Sequence, residues 1–457
     1  MPIYERRTLI KAPAAELFAW HTRPGALERL VPPWEHVRVV ERSGGIENGA
    51  RTVIQMRKGP LRLRWVAVHR DYQEGRQFVD EQVKGPFKSW HHTHRVIPAD
   101  AERSFLEDEI AYRLPLGALG RRLAGSLVAR DLDRGFLFRH RRTADDIARH
   151  REYPGRAPLR IVLSGASGLI GRNLTAFLTT GGHEVIRLVR RPPHPGASEA
   201  RWDPATGAID SAALDGADAV VHLSGRSLVA PRWTGKVKRE IWDSREASTR
   251  LLCESLAKLS DPPRTLIAAS AIGFYGNRGD HSVSEASPPG AGFLAELCQA
   301  WEAATQPASA AGIRVANLRI GLVLTASGGL LDRILLPFQL GLGGALGSGR
   351  QYMSWIALDD LLGSILHLLR RDDLAGPINA VAPNPVTNRV FTKALGRVIR
   401  RPTILPAPAP VLKALFGELG QALFLDGARV AGDRLADSGF RFNHPQLEGA
   451  LRFELGR

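Results

Sequence analysis

Three glycines, spaced three residues apart after an apolar stretch, constrain this chain more than any other feature of its sequence. The stretch Arg160-Ile-Val-Leu-Ser164 has the apolar pattern of a buried strand and leads directly into Gly165-Ala-Ser-Gly-Leu-Ile-Gly171. A helix-compatible stretch follows over 172–180, and Glu184–Val189 is the next apolar strand. This order of strand, glycine turn, helix and strand, within about 30 residues, predicts a parallel βαβ unit.

Each glycine of this turn has its own physical reason. Gly165 permits the tight turn, Gly168 lets the backbone approach a pyrophosphate, and Gly171 lets the helix pack on the strand. The N-terminus of the helix adds free N–H groups and a positive dipole, both of which favour phosphate. We therefore predict a dinucleotide-binding turn that consists of Gly165, Ser167, Gly168, Leu169, Ile170 and Gly171.

The end of the second strand indicates which dinucleotide is bound. A site that prefers NAD has a carboxylate there, about 20 residues after the last glycine, to hold the ribose hydroxyls. This chain has Arg190 and Arg191 instead. Because a guanidinium can bind a 2′-phosphate through two hydrogen bonds, we predict NADP rather than NAD, with Arg190 on the phosphate. The alternative is that the two arginines merely cap the strand and bind no phosphate.

The second half of the chain carries a longer ordered set of motifs. They include Pro231–Thr234, Ser270–Gly276, Leu318–Val323, Trp355–Asp360 and Ala382–Asn388. The spacing Gly-x-x-Gly-x-x-Gly is that of the short-chain dehydrogenase/reductase (SDR) superfamily, in its extended branch. The whole set resembles the atypical YfcH-like epimerase/dehydratases of that branch. The tail resembles the small domain of unknown function (DUF1731) that closes them.

This resemblance implies roles at two more strand ends. Ser270 ends an apolar strand at the carboxyl edge, where open α/β sheets bind ligands, and it stands where the superfamily has its catalytic Ser/Thr. The alternative is a plain serine at a strand end. The turn that ends the preceding strand is expected to pass under the cofactor, through Leu223, Ser224 and Gly225.

Two later segments complete the expected site. The loop Gly341–Gly349 is flexible by composition, and it lies where extended dehydrogenases grip their substrate. Arg350 follows it and is expected to bind an anionic substrate; the alternative is a solvated arginine on a surface turn. Asp359 and Asp360 are expected to be N-caps of the helix that follows.

The catalytic pair of this superfamily is absent. Its members use Tyr-x-x-x-Lys, in which the lysine holds the nicotinamide ribose and lowers the pKa of the tyrosine. None of the six tyrosines has a lysine four positions later, and no lysine lies between Lys258 and Lys393. In one interpretation Tyr275 is a relocated proton donor, assisted by Arg278 or Asp280. In the other, Tyr275 is a packing aromatic and the protein is a sensor that does not turn over.

The first 150 residues follow a different plan. A helix is expected over Ala12–Leu30, a late strand over Ser104–Leu114 and a long last helix over Leu116–Arg149. Together with an opening strand they describe an α+β domain in which a helix covers a curved sheet. The order resembles the SRPBCC superfamily of START-like, polyketide-cyclase-like helix-grip domains, notably in Ala12–Phe18 and Gly85–His94. This resemblance implies a cavity for an apolar ligand and no defined reaction.

A histidine cluster lies in that segment. His92 and His94 share a strand face and could both reach one metal ion, whereas His91 points to the other face. No CxxC motif and no third ligand lie close by in the sequence. We therefore expect a polar strand surface or a cavity rim, and no metal site.

Charge and cysteine content exclude some partners. The net charge of +16 suggests nucleic acid, but 53 of the 62 basic residues are arginine and they are spread along the chain. Such arginine usage is typical of a GC-rich genome, so we expect no nucleic-acid partner. The two cysteines, Cys253 and Cys298, fit a reduced, cytoplasmic protein. No apolar run reaches 18 residues, so no integral membrane association is expected.

These observations predict three segments. A helix-grip ligand-binding domain of α+β class covers 1–152. A Rossmann-type α/β domain with a doubly wound parallel sheet covers 159–400, and a small C-terminal lobe covers 401–455. The expected function is an NADP-dependent oxidoreductase or epimerase that acts on a small molecule. The alternative is a non-catalytic NADP(H) and ligand sensor, and the sequence leaves the oligomeric state open.

Overall fold

The computed structural model describes residues 2–59 and 61–457, and the chain divides into two compact units. The first holds the residues up to Arg156, together with 176–182 and 453–457. The second holds 157–175 and 183–452. Among the described residues, no helix combines the length and the apolar character that crossing a membrane requires.

A seven-stranded antiparallel sheet forms the body of the first unit. Two short helices follow its first strand and one long helix follows its last, as the helix-grip plan requires. The elements are β1 Ile3–Ile10, α1 Ala14–Thr22, α2 Ala26–Leu30, β2 His36–Ser43, β3 Arg51–Lys58, β4 Leu61–Gln73, β5 Gln77–Lys84, β6 Ser89–Pro98, β7 Ser104–Arg113 and α3 Gly117–Arg151. The strands lie in the order β1-β7-β6-β5-β4-β3-β2. This confirms the α+β class.

The single helix expected over Ala12–Leu30 is two helices. Arg23 precedes Pro24, and the proline ring disfavours helical backbone in the residue before it. Arg23 is accordingly extended, with φ −74° and ψ 150°. Gly25 then adopts φ +93°, which glycine tolerates best, before α2 begins.

The second unit is built from many short elements around one sheet. Its strands are β8 Arg160–Ser164, β9 Glu184–Val189, β10 Glu199–Asp203, β11 Ala208–Ile209, β12 Ala219–His222, β13 Thr265–Ala271, β14 Ser282–Val283, β15 Arg314–Ile320, β16 Leu322–Leu324, β17 Tyr352–Met353, β18 Trp355–Ala357, β19 Gly376–Ala380, β20 Val386–Thr387 and β21 Arg429–Val430. The helices that lie wholly or mostly in this unit are α4 Leu169–Thr180, α5 Ser211–Leu214, α6 Gly235–Asp243, α7 Glu246–Leu256, α8 Phe293–Ala303, α9 Gln306–Ala310, α10 Gly329–Gln339, α11 Leu358–Arg370, α12 Asn388–Ile399, α13 Ala409–Phe416, α14 Glu418–Gly420, α15 Asp433–Asp437 and α16 Leu447–Leu455.

The order of the strands in this sheet is β11-β10-β9-β8-β12-β13-β15-β19. The chain runs outward from β8 through β9 and β10, and then crosses to β12 on the other side of β8. All pairs are parallel except β10 with β11. This confirms the doubly wound Rossmann-type sheet. The strand order reverses between β8 and β12, and open α/β sheets bind ligands beyond the carboxyl ends of the strands at such a point.

The two aspartates at the start of α11 do not cap it. The helix begins at Leu358, so Ala357 occupies the cap position without a side-chain bond, and Asp359 and Asp360 lie in the first turn. Asp360 is fully buried. Its carboxylate accepts the backbone N–H groups of Asn443 at 2.7 Å and His444 at 2.9 Å. It therefore joins α11 to the C-terminal segment.

We expect Asp360→Ala to lower the free energy of unfolding of the second unit by about 3 kcal/mol, because two buried N–H groups lose a charged acceptor. Chemical denaturation measures this loss. Asp332→Ala, at an exposed position in the first turn of α10, is the matched control and is expected to change stability by less than about 0.5 kcal/mol. Equal effects of the two substitutions would contradict this role for Asp360.

Candidate functional site

The turn after β8 lies against the turn after β12, at the point where the strand order reverses. Gly165 has φ +73°, and a Cβ there would lie 2.7 Å from the carbonyl atoms of Leu223 and 2.9 Å from the amide nitrogen of Ser224. Only glycine meets both demands without strain. The contact therefore brings the glycine turn against Leu223 and Ser224 of the turn that we expected to pass under the cofactor.

The other two glycines differ in their surroundings. A Cβ on Gly171 would lie 2.2 Å from the carbonyl oxygen of Gly165, so its requirement comes from the turn itself rather than from packing on the strand. A Cβ on Gly168 would meet only that same oxygen, at 3.2 Å. Gly168 and Ser167 are exposed. The turn is thus closed toward the sheet and open toward solvent at Gly168.

The first turn of α4 supplies the expected donors. Leu169, Ile170 and Gly171 begin the helix, so their N–H groups have no earlier carbonyl of the same helix to bond. Arg172 is the first residue whose N–H reaches back, to the carbonyl of Gly168 at 3.0 Å. A backbone with free donors and no side chain at its tip fits a pyrophosphate.

A buried chain of hydrogen bonds supports these turns from below. His222 ends β12, and its Nδ1 lies 2.7 Å from the hydroxyl of Ser164, the last residue of β8. Its Nε2 lies 2.9 Å from the hydroxyl of Thr249, which also accepts the indole N–H of Trp301. Burial lowers the pKa of His222 to about 3. The imidazole is therefore neutral and bridges the ends of two adjacent strands.

The two arginines after β9 differ in their contacts. Arg191 donates to both carboxylate oxygens of Glu199, at 2.8 and 2.7 Å. Arg187 pairs with the same carboxylate, and hydrogen bonds from Arg191 contribute most to lowering the pKa of Glu199 to about 2. Arg190 is exposed, and within the described chain no hydrogen bond or ion pair is seen for its side chain. Arg190 is thus the arginine with a free guanidinium.

Ser270 belongs to a buried polar network. Its hydroxyl donates to Oε1 of Glu302 on α8 at 2.6 Å. Glu302 in turn holds Arg319 of β15 through two bonds of 2.8 Å. The register of β13 and β15 sets Ser270 directly opposite Arg319. The serine hydroxyl is therefore bound to a carboxylate and held by an adjacent ion pair.

Tyr275 lies at the other end of this network and has no exposed surface. Its hydroxyl donates to Oδ1 of Asn379 at 2.7 Å and accepts from Nη1 of Arg319 at 2.9 Å. The pKa of Tyr275 is raised, chiefly by burial. This placement favours the interpretation in which Tyr275 packs and positions its neighbours.

The loop Gly341–Gly349 is packed rather than free. A Cβ on Gly344 would lie 1.9 Å from the carbonyl oxygen of Leu405, and Gly347 donates its N–H to Ala407. The expectation of a flexible loop from composition is wrong, because the glycines here let two backbones approach closely. Arg350 follows this anchored segment with an exposed side chain.

The first unit contains a cavity of about 430 Å³ between its sheet and its helices. Most of its wall is apolar and aromatic, with Trp65, Trp90 and Phe136 among the lining residues. A polar cluster lines the same cavity and includes His92 and His94, which are buried. His91 is exposed on the opposite face of the strand.

Charge is unevenly distributed in that polar cluster. Burial would lower the pKa of His94, but the carboxylates of Asp108 and Asp80 outweigh it and raise the pKa to about 9. Burial and the neighbouring charge on His94 lower the pKa of His92 to about 4. The pKa values of both carboxyl groups fall well below the usual range despite burial.

Three family models match successive parts of the chain. Residues 10–136 match the family of polyketide cyclases, dehydrases and lipid transport proteins. Residues 161–381 match the NAD dependent epimerase/dehydratase family, and 407–454 match the domain of unknown function DUF1731. These matches confirm both resemblances found in the sequence.

Some relatives match about two thirds of this chain, and one solved structure matches nearly all of it. The epimerase family protein Mb2239 of Mycobacterium bovis is 43% identical over 297 residues, which are 65% of this chain and 98% of the relative. The chain belongs to the epimerase family. Human SDR39U1, solved with NADPH, is 33% identical with a TM-score of 0.59 over 64% of this chain and 98% of its own. The solved nucleoside-diphosphate sugar epimerase of Corynebacterium glutamicum is 34% identical, with a TM-score of 0.82 over 99% of this chain and 90% of its own.

Sequence reasoning missed half of the polar network in this epimerase-family chain. Glu302 was not singled out from the sequence, and Arg319 is one arginine among 53. Their pairing depends on the approach of α8 to the carboxyl end of β15. A signal did exist: a charged residue inside the buried pattern of Leu318–Val323 must have a partner of opposite charge.

The buried His222 makes the stability of this epimerase-family chain sensitive to acid. Its pKa is lowered from 6.5 to about 3, so the unfolded chain takes up a proton that the folded chain resists. The contribution is fully present above pH 6.5 and is lost as the pH falls below it. Between pH 7 and pH 5 we expect a loss of about 2 kcal/mol from this residue.

Denaturant unfolding at a series of pH values measures this effect. His222→Gln keeps a hydrogen-bonding side chain without the titration, and it is expected to flatten the pH dependence. His194→Gln, at an exposed position, is expected to leave the pH dependence as it is. A slope that His222→Gln does not change would contradict the buried neutral imidazole.

Proposed function

We propose that this protein is an NADP-dependent epimerase or oxidoreductase. The observation that carries the proposal is the free guanidinium of Arg190 at the carboxyl end of β9, the strand that pairs with β8, where an NAD site would have a carboxylate. Arg191 is engaged by Glu199, which leaves Arg190 for a 2′-phosphate. The relative solved with NADPH supports this choice of nucleotide. When bound, the nicotinamide supplies a hydride donor or acceptor.

The chain's own residues have distinct roles in this proposal. Gly165, Ser167, Gly168, Leu169, Ile170 and Gly171 hold the pyrophosphate, and Leu223, Ser224 and Gly225 lie under the cofactor. Because the proton of Ser270 is donated to Glu302, the serine oxygen accepts a hydrogen bond from the reacting hydroxyl of the substrate. Tyr275 acts through Arg319 and keeps that ion pair in place.

We further propose that the substrate carries a negative charge and that Arg350 binds it. The exposed guanidinium follows an anchored loop, so its position is defined while its donors stay free. A substrate with phosphate groups fits this assignment, as the name of the Corynebacterium relative suggests. The cavity of the first unit binds an apolar molecule, since its wall is mainly aromatic and aliphatic.

A second candidate function is a non-catalytic sensor of NADP(H) and a small ligand. The specific observation in its favour is that no lysine stands where the superfamily has one, and that Tyr275 is buried with its hydroxyl engaged. Binding without turnover needs only the glycine turn, Arg190 and the cavity. The two functions share these binding residues, and only the enzyme also needs Ser270 and Arg350.

A measurement of hydride transfer from NADPH, loaded at one molecule per chain, separates these two functions. The full-length protein is loaded with NADPH deuterated at C4 and incubated with a small-molecule extract, and mass spectrometry follows deuterium. The enzyme proposal expects deuterium in a small molecule, and its loss in Ser270→Ala but not in the exposed control Ser309→Ala. Tyr275→Phe is expected to slow transfer without abolishing it. Tight NADPH binding with no deuterium transfer, together with no reduction of bound NADP⁺ by the same extract, supports the sensor.

Arg190→Ala is expected to weaken NADPH binding by about 10- to 100-fold, because it removes charged hydrogen bonds to the 2′-phosphate. NADH binding is expected to stay within about twofold, since NADH lacks that phosphate. Isothermal titration of both nucleotides measures the two affinities. Arg187→Ala, on β9 just before Arg190 and paired with Glu199, is the matched control. Tighter binding of NADH than NADPH by the unmodified protein would contradict the proposal.

A further inference from the structure

Three neighbouring strands of the first unit place carboxylates and imidazoles on the cavity side of the sheet. Asp80 of β5 lies opposite His92 of β6, and His94 of β6 lies opposite Asp108 of β7. Residues two apart on a strand share a face. All four side chains therefore project from the same face; His92, His94 and Asp108 are buried, and Asp80 is partly buried.

Three of these side chains are close enough to share one ion. Oδ2 of Asp80 lies 3.2 Å from Nε2 of His94 and 3.9 Å from Nδ1 of His92. One donor atom from each of the three residues lies within 4.8 Å of the others. Donors that surround a metal ion at about 2.1 Å lie about 3.0 to 3.4 Å apart. Small side-chain adjustments therefore suffice to complete the site.

Asp108 turns both imidazoles toward Asp80. Its Oδ1 lies 2.8 Å from Nε2 of His92 and 2.6 Å from Nδ1 of His94. Each ring can thus donate one N–H to Asp108 and direct its other nitrogen to the shared position. His140 holds the remaining oxygen of Asp108 at 2.5 Å. Carboxylates that orient histidine ligands in this way are a regular feature of metal sites.

The carboxylate ligand is also held in place. Oδ1 of Asp80 lies 2.8 Å from Nε2 of His69, which leaves Oδ2 for the ion. The ring of Phe78 stacks on His94 with centroids 4.2 Å apart. These contacts hold the ligand side chains in position before a metal ion binds.

We propose that Asp80, His92 and His94 form a binding site for one divalent transition-metal ion of the zinc or iron type, open to the cavity. Two imidazoles and one carboxylate are the ligand set that such ions favour, and three protein ligands leave coordination positions free. An apolar molecule with a carbonyl, hydroxyl or carboxylate oxygen fits such a position. The site is independent of the cofactor proposed for the second unit.

Cobalt binding to the full-length protein tests this proposal. After removal of metals with a chelator, Co²⁺ is added and the visible absorption of the bound ion is followed, and Zn²⁺ is then used as a competitor. We expect one Co²⁺ per chain, displaced by one Zn²⁺. Asp80→Asn is expected to weaken binding by about 100-fold or more, and Asp108→Asn by about 10- to 100-fold. His91→Ala, on the same strand but the exposed face, is expected to have no effect.

Two results would overturn the proposal. The first is a stripped protein that binds neither ion at a ratio of one per chain, which would leave the cluster as a hydrogen-bond network in which His94 bridges two carboxylates. The second is Asp80→Asn binding as tightly as the unmodified protein. If Asp80→Asn does not fold, proton NMR of the Co²⁺-loaded native protein decides: two strongly shifted imidazole N–H signals support the site, and their absence overturns it.

Discussion

The contact between the turn after β8 and the turn after β12 is the constraint on which the second unit depends. Gly165 allows it, because any side chain there would collide with the backbone of Leu223. The contact closes the turn on its sheet side, and Gly171 closes it on its helix side. At Gly168 the turn is open toward solvent. The free N–H groups of α4 therefore face one shared space, and His222 holds the two strand ends together from below.

The second feature of this unit is that the Tyr-x-x-x-Lys pair of the superfamily is absent from the sequence. The carboxyl edge of the sheet holds a fixed network in its place, with Ser270 bound to Glu302 and Glu302 bound to Arg319. A buried ion pair costs desolvation energy, and this one is satisfied by additional hydrogen bonds rather than by charge attraction alone. Such a network orients groups well. Burial raises the pKa of Tyr275, and the hydrogen bond and charge of Arg319, which act in the opposite direction, do not outweigh it.

Local signals predicted both fold classes, because glycine turns, strand patterns and helix lengths depend on short stretches of chain. The glycine turn and the place of Arg190 after the second strand followed from such stretches. Features that depend on distant contacts were missed. Glu302 and Arg319 meet only after α8 packs on the sheet, and Asp80 reaches His92 only through strand pairing. Asp360 was misjudged because its partners, Asn443 and His444, lie more than 80 residues away in the sequence.

A structure of the full-length protein crystallised with NADPH tests the central claim most directly, because it locates every phosphate of the cofactor. The account predicts that the pyrophosphate lies within hydrogen-bond distance of the N–H groups at the start of α4, beside Gly168. It also predicts that the guanidinium of Arg190 contacts the 2′-phosphate. A cofactor bound away from this turn, or a 2′-phosphate with Arg190 directed away from it, would contradict the account.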